Sequence, residues 1–345
     1  MDEKTAEQRR REILFHQHIT APADKLTVCR DLCGFQAQFL SNARRGLAIR
    51  CREPLTDDWG QGLVKSWTIR GTIHVFAAED LPLFLYEGRI EKRRPVDSME
   101  ADQFISLPRK RYFADYIVDL IGQGVESRDD LRARCFEAGL TEGEAQSVFD
   151  PWGGTIRYLA ETGVICYRVQ EKKAFRLCPP FEPLPKEQAE LELVRRYFTH
   201  FGPATVRDAA YFFGVSQTRV RAWVRQLPLR EMEAEGIRCY AMGGEEDVPD
   251  IPEVLFLPGF DQLMLGYQKR ESLFFRQEHL RGIFNLAGIV MPVVLFRGIV
   301  VGKWKLQGRR LALTLFEKLP EKSLQQLRNA AGRTFGSLSG IHVQI

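Results

Sequence analysis

The feature that most restricts how this chain can fold is a rhythm of three short helices followed by two short β runs, clearest at 187–245. Leu191, Val194, Tyr197, Phe198 and Phe201 recur at helical spacing, and Gly202-Pro203 stops that helix. Thr205 is a predicted N-cap with Asp208 in the first turn, and Gly214 closes the second helix. Ser216 caps a third, in which Val220, Trp223, Val224 and Leu227 make one apolar stripe while Gln217, Arg221 and Arg225 share another face.

The rhythm returns at 110–178. Phe113, Tyr116, Ile117 and Leu120 share one helical face, Ser127 and Asp130 open the next helix, and Thr141 with Glu144 forms a capping box. That third helical region breaks at Asp150-Pro151 and resumes from Arg157 to Gly163. Runs at 164–167 and 174–177, joined by the polar Gln170-Glu171-Lys172-Lys173, predict a hairpin. A less regular copy at 10–85 has helices around Ile13 and Leu26 and a hairpin from Val64 through Gly71 to Phe76. Three helices closed by a hairpin describe a winged helix. Beyond about 250, Val293–Phe296, Ile299–Lys305 and Leu311–Leu315 are β-rich runs separated by Arg297-Gly298 and Gln307-Gly308, which predict a small antiparallel sheet or barrel, then a helix near Leu324.

Charge distribution says more than the total, since 49 basic and 45 acidic residues leave a net charge of only +4. Arg219, Arg221, Arg225 and Arg230 lie on or just after the third helix of the 187–245 unit, with no acid before Glu231. Such a face suits a phosphate-lined groove, or else is an ordinary solvated helix face. Lys303, Lys305, Arg309 and Arg310 on the C-terminal hairpin present the same choice between DNA backbone grip and a solvated edge.

The seven cysteines are scattered and odd in number, which predicts reduced thiols. No apolar run approaches the ~18 residues of a membrane span, and the charged N-terminus (Asp2, Glu3, Lys4, Arg9, Arg10, Arg11) lacks a signal core. A cytoplasmic, nucleoid-associated protein with no membrane partner is expected. A phosphate-binding glycine loop, an HExxH motif and a nucleophile elbow are all absent from the sequence. Cys29 and Cys33, with His16 and His18 ahead of them, do not match paired zinc-knuckle spacing, so no metal site is expected.

The segment that interrupts the first copy reads Cys33-Gly34-Phe35-Gln36-Ala37-Gln38-Phe39. If its backbone is extended, Gln36 and Gln38 project to the same side and can converge on one point. If it is helical they diverge by about 200° and are two ordinary helix-tolerant residues. Glutamine does not titrate, so the pair cannot be a general acid or a strong base, but each amide offers donors and an acceptor for placing a water or holding charge. That chemistry suits a good leaving group. A purine made cationic by alkylation is one, because its departure needs no acid catalysis.

Gln36-Ala37-Gln38 after Cys33-Gly34-Phe35, then Arg50, then Ser66-Trp67-Thr68-Ile69-Arg70-Gly71-Thr72-Ile73-His74, resembles the winged-helix DNA glycosylases typified by AlkZ and YcaQ. The stretch Pro258-Gly259-Phe260-Asp261-Gln262-Leu263-Met264-Leu265-Gly266-Tyr267 and the strand from Gly298 to Trp304 are similar to the C-terminal part of the same family, so the resemblance runs in order from about 10 to 320. It implies an α+β fold, mainly α with β wings: three tandem winged helix-turn-helix units plus a C-terminal β-barrel-like domain. The expected boundaries are 10–100, 105–182, 187–245 and 250–345. The implied activity is excision of alkylated purines, crosslinked ones in some members, with Gln36 and Gln38 catalytic. Gln38 resembles the AlkZ branch, since YcaQ-like members carry aspartate there, and Phe35 stands where an aliphatic residue is commoner.

The expectation is therefore a monomeric, monofunctional, metal-independent and cofactor-free DNA glycosylase that acts on double-stranded DNA carrying alkylated bases and leaves an abasic site. His74 is a candidate pocket residue or a buried structural histidine; Asp261 is a candidate pocket carboxylate or a turn residue. Arg219, Arg221, Arg225, Lys303 and Lys305 are the candidate DNA contacts. The rival readings are a dimeric winged-helix transcriptional regulator reading DNA through the 216–227 helix, and a protein-interaction scaffold.

Overall fold

The computed structural model describes residues 3–68, 70–234, 236–244 and 247–345. Asp2 of the charged N-terminus, Ile69 of the 66–74 motif and Glu245 at the edge of the 187–245 unit lie outside the described residues. The chain forms two compact units. The first comprises 1–35, 41–55 and 194–345, and the second 36–40 and 56–193. Among the described residues no helix is long and apolar enough to cross a membrane. All seven cysteines are free thiols.

The 187–245 rhythm folds as its caps dictate. Helices span Lys186–His200, Val206–Phe213 and Gln217–Val224. Thr205 and Asp208 form a reciprocal capping box, Gly214 ends the second helix in the left-handed conformation (φ 67°), and the Ser216 side chain accepts from the Arg219 amide. Tyr197 is fully buried, with the rings of Phe212 and Phe213 centred 4.9 and 5.5 Å away, so the apolar stripes of the helices meet in an aromatic core. A hairpin follows, Leu229–Ala234 paired antiparallel with Ile237–Met242.

In the second unit the predicted break falls between helices Glu142–Val148 and Gly154–Glu161, after helices Leu107–Gly122 and Arg128–Glu137. The Thr141–Glu144 capping box is present, and Phe113, Ile117, Leu131 and Phe175 lie in one core. The two hairpins of the sequence rhythm, Leu63–Trp67 with Ile73–Ala77 and Ile165–Tyr167 with Phe175–Leu177, join in one sheet through Lys65 opposite Tyr167. The sheet order is Phe35–Gln36, Ile73–Ala77, Leu63–Trp67, Ile165–Tyr167, Phe175–Leu177. Trp67 Nε1 donates to Tyr167 Oη (3.3 Å), and the Arg157 guanidinium lies 4.0 Å from the Trp67 ring centroid.

The C-terminal part departs from the expected barrel. Among the described residues its five strands form an open sheet, ordered Gly340–Gln344, Arg310–Leu315, Ile299–Gln307, Val293–Phe296, Val254–Leu257. The three runs read from sequence are antiparallel neighbours, but Gly340–Gln344 returns parallel to Arg310–Leu315 after helix Glu321–Phe335. That helix packs Leu327, Ala330 and Ala331 against Phe256, Trp304 and Leu313. A helix covering the sheet face buries it without closure, which is the physical reason a barrel is not needed here.

Candidate active site

The route into the glutamine segment is set by two left-handed residues. Helix Lys25–Asp31 is followed by Cys33 (φ 55°) and Gly34 (φ 75°), and Gly34 N donates back to Cys29 O (2.8 Å). This ends the helix and starts the strand Phe35–Gln36, after which Ala37 N donates to Ile73 O at 2.8 Å. The strand ends at Gln36, and Gln38 lies in the bend that follows, so the helical alternative falls. Gln36 is buried (7% exposed) and Gln38 is exposed. Gln36 Nε2 donates to Gln38 Oε1 at 2.9 Å, so the side chains converge across that strand end. The Gln36 carbonyl oxygen and the Gln38 amide nitrogen take no part in that bond.

His74 lies on Ile73–Ala77, the strand next to the one carrying Gln36. It is 2% exposed. Its Nδ1 contacts Thr68 Oγ1 (2.8 Å) and Thr72 O (3.1 Å). A carbonyl only accepts, so Nδ1 carries the proton and Nε2 the lone pair. Burial, with Arg70 adding repulsion, pushes its pKa down to about 3, and the ring is neutral at ordinary pH.

Of the two readings of Asp261, a pocket carboxylate or a turn residue, the structure shows a residue that caps a turn of helix and pairs with an arginine. It is 1% exposed and both oxygens are engaged, with Oδ2 accepting from Arg50 Nη1 and Oδ1 from Arg50 Nη2, each at 2.8 Å. Oδ1 also caps the short helix Gln262–Leu265 through Leu263 N. Arg50 is fully buried and donates further to Gly46 O (2.8 Å) and Gln17 O (3.0 Å), with its guanidinium 5.7 Å from the Phe35 ring centroid. The sequence pattern singled out both Arg50 and Asp261 but gave no sign that they pair. The lone aspartate in the apolar stretch from Val254 to Tyr267 is a local signal for a buried partner, whereas Arg50 stands near Arg45, Arg52 and Glu53 and gives none.

Of the basic candidates, Arg221, Arg225 and Lys305 are exposed, while Arg219 and Lys303 are half-buried. Arg219 stacks on Trp223 (5.3 Å), and Arg221 Nη2 donates to Gln217 Oε1 (3.1 Å). Arg221 and Arg225 border a cavity of about 510 Å³ that Arg9, Arg207 and Arg238 also line. Arg230 does not belong to that face, because it pairs with the buried Glu12 at 3.1 Å. Lys303 and Lys305 occupy alternate positions of strand Ile299–Gln307 and so share one side of it. Cys29 and Cys33 are buried, and the metal-capable cluster among the described residues contains neither; it joins His18 to Asp31 and His200.

Helices followed by hairpins, a hydrogen-bonded pair of glutamines and exposed arginines on a capped helix are features that the family comparison bears on. Residues 29–335 match the family model for AlkZ-like DNA glycosylases. The chain belongs to that family. It is 25% identical over 335 residues to the "Interstrand DNA cross-link repair glycosylase" of Streptomyces sahachiroi, covering 88% of this chain and 89% of that protein. The solved structure of Streptomyces sahachiroi DNA glycosylase AlkZ superposes with a TM-score of 0.74 at 22% identity, covering 98% of both chains, and so has the same overall fold.

Proposed function

We propose that this protein excises cationic N-alkylated purines from double-stranded DNA, crosslinked purines among them, and leaves an abasic site. The observation that carries the reading is the Gln36–Gln38 hydrogen bond at the end of the Phe35–Gln36 strand. It pre-orients two amides whose remaining acceptor and donor groups can hold a water against C1′ of the damaged nucleotide. The C1′–N bond breaks and its electron pair goes to the purine, neutralising the cation. Water oxygen then bonds to C1′, and its proton passes to solvent. The two amide dipoles stabilise the transient sugar cation without titrating, and no step is routed through a metal, a cofactor or an enzyme amine, so the enzyme is monofunctional.

On this reading the chain carries three tandem winged helices, 10–100, 105–182 and 187–245, before the 250–345 sheet domain, and acts as a monomer. Arg219, Arg221, Arg225, Lys303 and Lys305 grip the DNA backbone. His74, neutral and held at Nδ1, shapes the floor of the pocket, and Asp261 acts at a remove by holding Arg50. The curated relative's name, an interstrand cross-link repair glycosylase, supports extending the substrate to crosslinks.

The test is incubation with duplex DNA carrying one 7-methylguanine, followed by alkali to cut abasic sites. Strand breaks with the wild type, lost in Gln36→Ala and Gln38→Ala, are expected. Absence of breaks across several alkylpurines, with binding retained, would leave the regulator reading in its place. Breaks undiminished in both variants would overturn the assignment of the glutamines.

A further inference from the structure

We propose that His18, Asp31 and His200, all in the first unit, bind one divalent transition-metal ion of the zinc class. His18 Nε2 lies 2.8 Å from Asp31 Oδ2, His200 Nε2 lies 3.5 Å from Asp31 Oδ1, and the three ligand atoms all fall within 4.8 Å of one another. Two imidazoles and a carboxylate are the donor set of open zinc sites, in which water takes a fourth position. Mixed nitrogen and oxygen donors favour zinc, cobalt or nickel over magnesium or calcium, which require all-oxygen shells.

The second shell points the same way. His18 Nδ1 meets Ala21 O at 3.2 Å, and His200 Nδ1 meets His16 O at 3.1 Å. Both partners are carbonyls and can only accept, so each Nδ1 carries a proton, and Nε2 is the ring atom turned toward the carboxylate. This is how metal-bound histidines are oriented in general, the far nitrogen being tied to a backbone carbonyl. A positive centre among the three atoms offsets the carboxylate charge. One divalent ion would serve both rings, centred 5.7 Å apart, and Asp31 together, whereas a proton on His18 Nε2 would serve the 2.8 Å contact alone.

The backbone delivers the three groups from three helix ends. Helix Glu3–His16 runs out into His18, whose φ of 59° turns the ring inward; Asp31 and His200 are the last residues of Lys25–Asp31 and Lys186–His200. Helix C-termini carry partial negative charge, and three of them gathered at one point favour a cation. The side chains are 14%, 19% and 18% exposed, shielded but still open to an entering ion. The ion would pin the ends of three helices that are remote in sequence, independently of the glutamine chemistry.

The experiment uses the full-length protein, stripped with chelator and titrated with Co2+ and then Zn2+. Expected are one equivalent of Co2+ bound, visible d–d absorption of a low-coordinate nitrogen–oxygen site, displacement by Zn2+, and a Zn2+-dependent rise in the unfolding temperature. His18→Gln and His200→Gln should each weaken binding at least tenfold, with far-ultraviolet dichroism unchanged. As a check that needs no variant, Zn2+ should protect His18 and His200, but not the exposed-edge His342, from diethyl pyrocarbonate, as read by mass spectrometry. A thiolate charge-transfer band, stoichiometric binding unaffected by both substitutions, or no binding and no protection at micromolar metal would each overturn the site; the last outcome would leave a hydrogen-bonded histidine–carboxylate cluster only.

Discussion

Arg50 and Asp261, 211 residues apart, meet in a fully buried pair joined by two hydrogen bonds of 2.8 Å each. The pair ties the last turn of helix Leu40–Ala48, through Gly46 O, to the N-cap of helix Gln262–Leu265. A buried pair is weak evidence of net stabilisation, because desolvating both ions costs as much as their attraction returns, but breaking one side strands a charge. Asp261→Ala should therefore lower unfolding stability by about 3–5 kcal/mol. The double replacement Arg50→Met with Asp261→Leu should cost clearly less than that single change. Urea denaturation of the wild type and both variants decides it, and a double variant that loses as much stability as Asp261→Ala, or more, would refute the argument.

Gln36 and Gln38 share one hydrogen bond and, on the proposed mechanism, one water. Groups that act as a unit are non-additive. Each alanine variant should lower the single-turnover excision rate by about 10²–10³-fold, the range seen when one preorganised amide donor is removed. The Gln36→Ala/Gln38→Ala double variant should fall little further. Multiplicative losses in the double variant would show that the two amides act separately.

His74 links acid sensitivity to one residue. Its pKa is lowered from 6.5 to about 3 by burial, so between those values the unfolded chain binds a proton that the folded chain does not. Stability consequently rises with pH across that window and is lost as pH falls below about 6.5, with a slope of up to about 1.4 kcal/mol per pH unit from this group alone. His74→Gln should flatten that part of the acid limb, whatever it costs at pH 7. An acid limb of unchanged slope would count against burial of a neutral ring.

On the proposed function, the exposed Arg221, Arg225 and Lys305 would bear on DNA grip rather than lesion choice. Alanine at each should weaken binding to undamaged and damaged duplex equally and reduce the slope of log K against log salt by about 0.9 for each phosphate no longer neutralised. Fluorescence anisotropy at several salt concentrations measures this directly. A variant that loses affinity only for damaged duplex would move its residue from backbone grip to lesion recognition.

Much of this molecule is local and was legible as such. Thr141 with Glu144 and Thr205 with Asp208 cap their helices as their spacing predicts, because a cap satisfies amides within its own first turn. The stripe of Val194, Tyr197, Phe198 and Phe201 is buried, and the 164–177 and 63–77 hairpins form where alternation and turn residues place them. At Gln36 and Gln38 the pattern left two backbone conformations open. What decided between them was the left-handed turn at Cys33 and Gly34 together with pairing to Ile73, a contact that a local pattern does not encode. The same holds for the joining of the two hairpins into one sheet and for the open C-terminal sheet, whose parallel last strand depends on a helix crossing.

Residue types and their spacing thus determined the capped helices and the hairpins, since those depend on neighbours within a few positions. Tertiary structure alone decided that Asp261 faces Arg50, that Arg230 turns to Glu12, and that His18, Asp31 and His200 gather at three helix ends. Charged and hydrogen-bonding side chains take their meaning from the partner that neutralises them once water is removed, and in each of these cases the partner comes from a distant part of the chain.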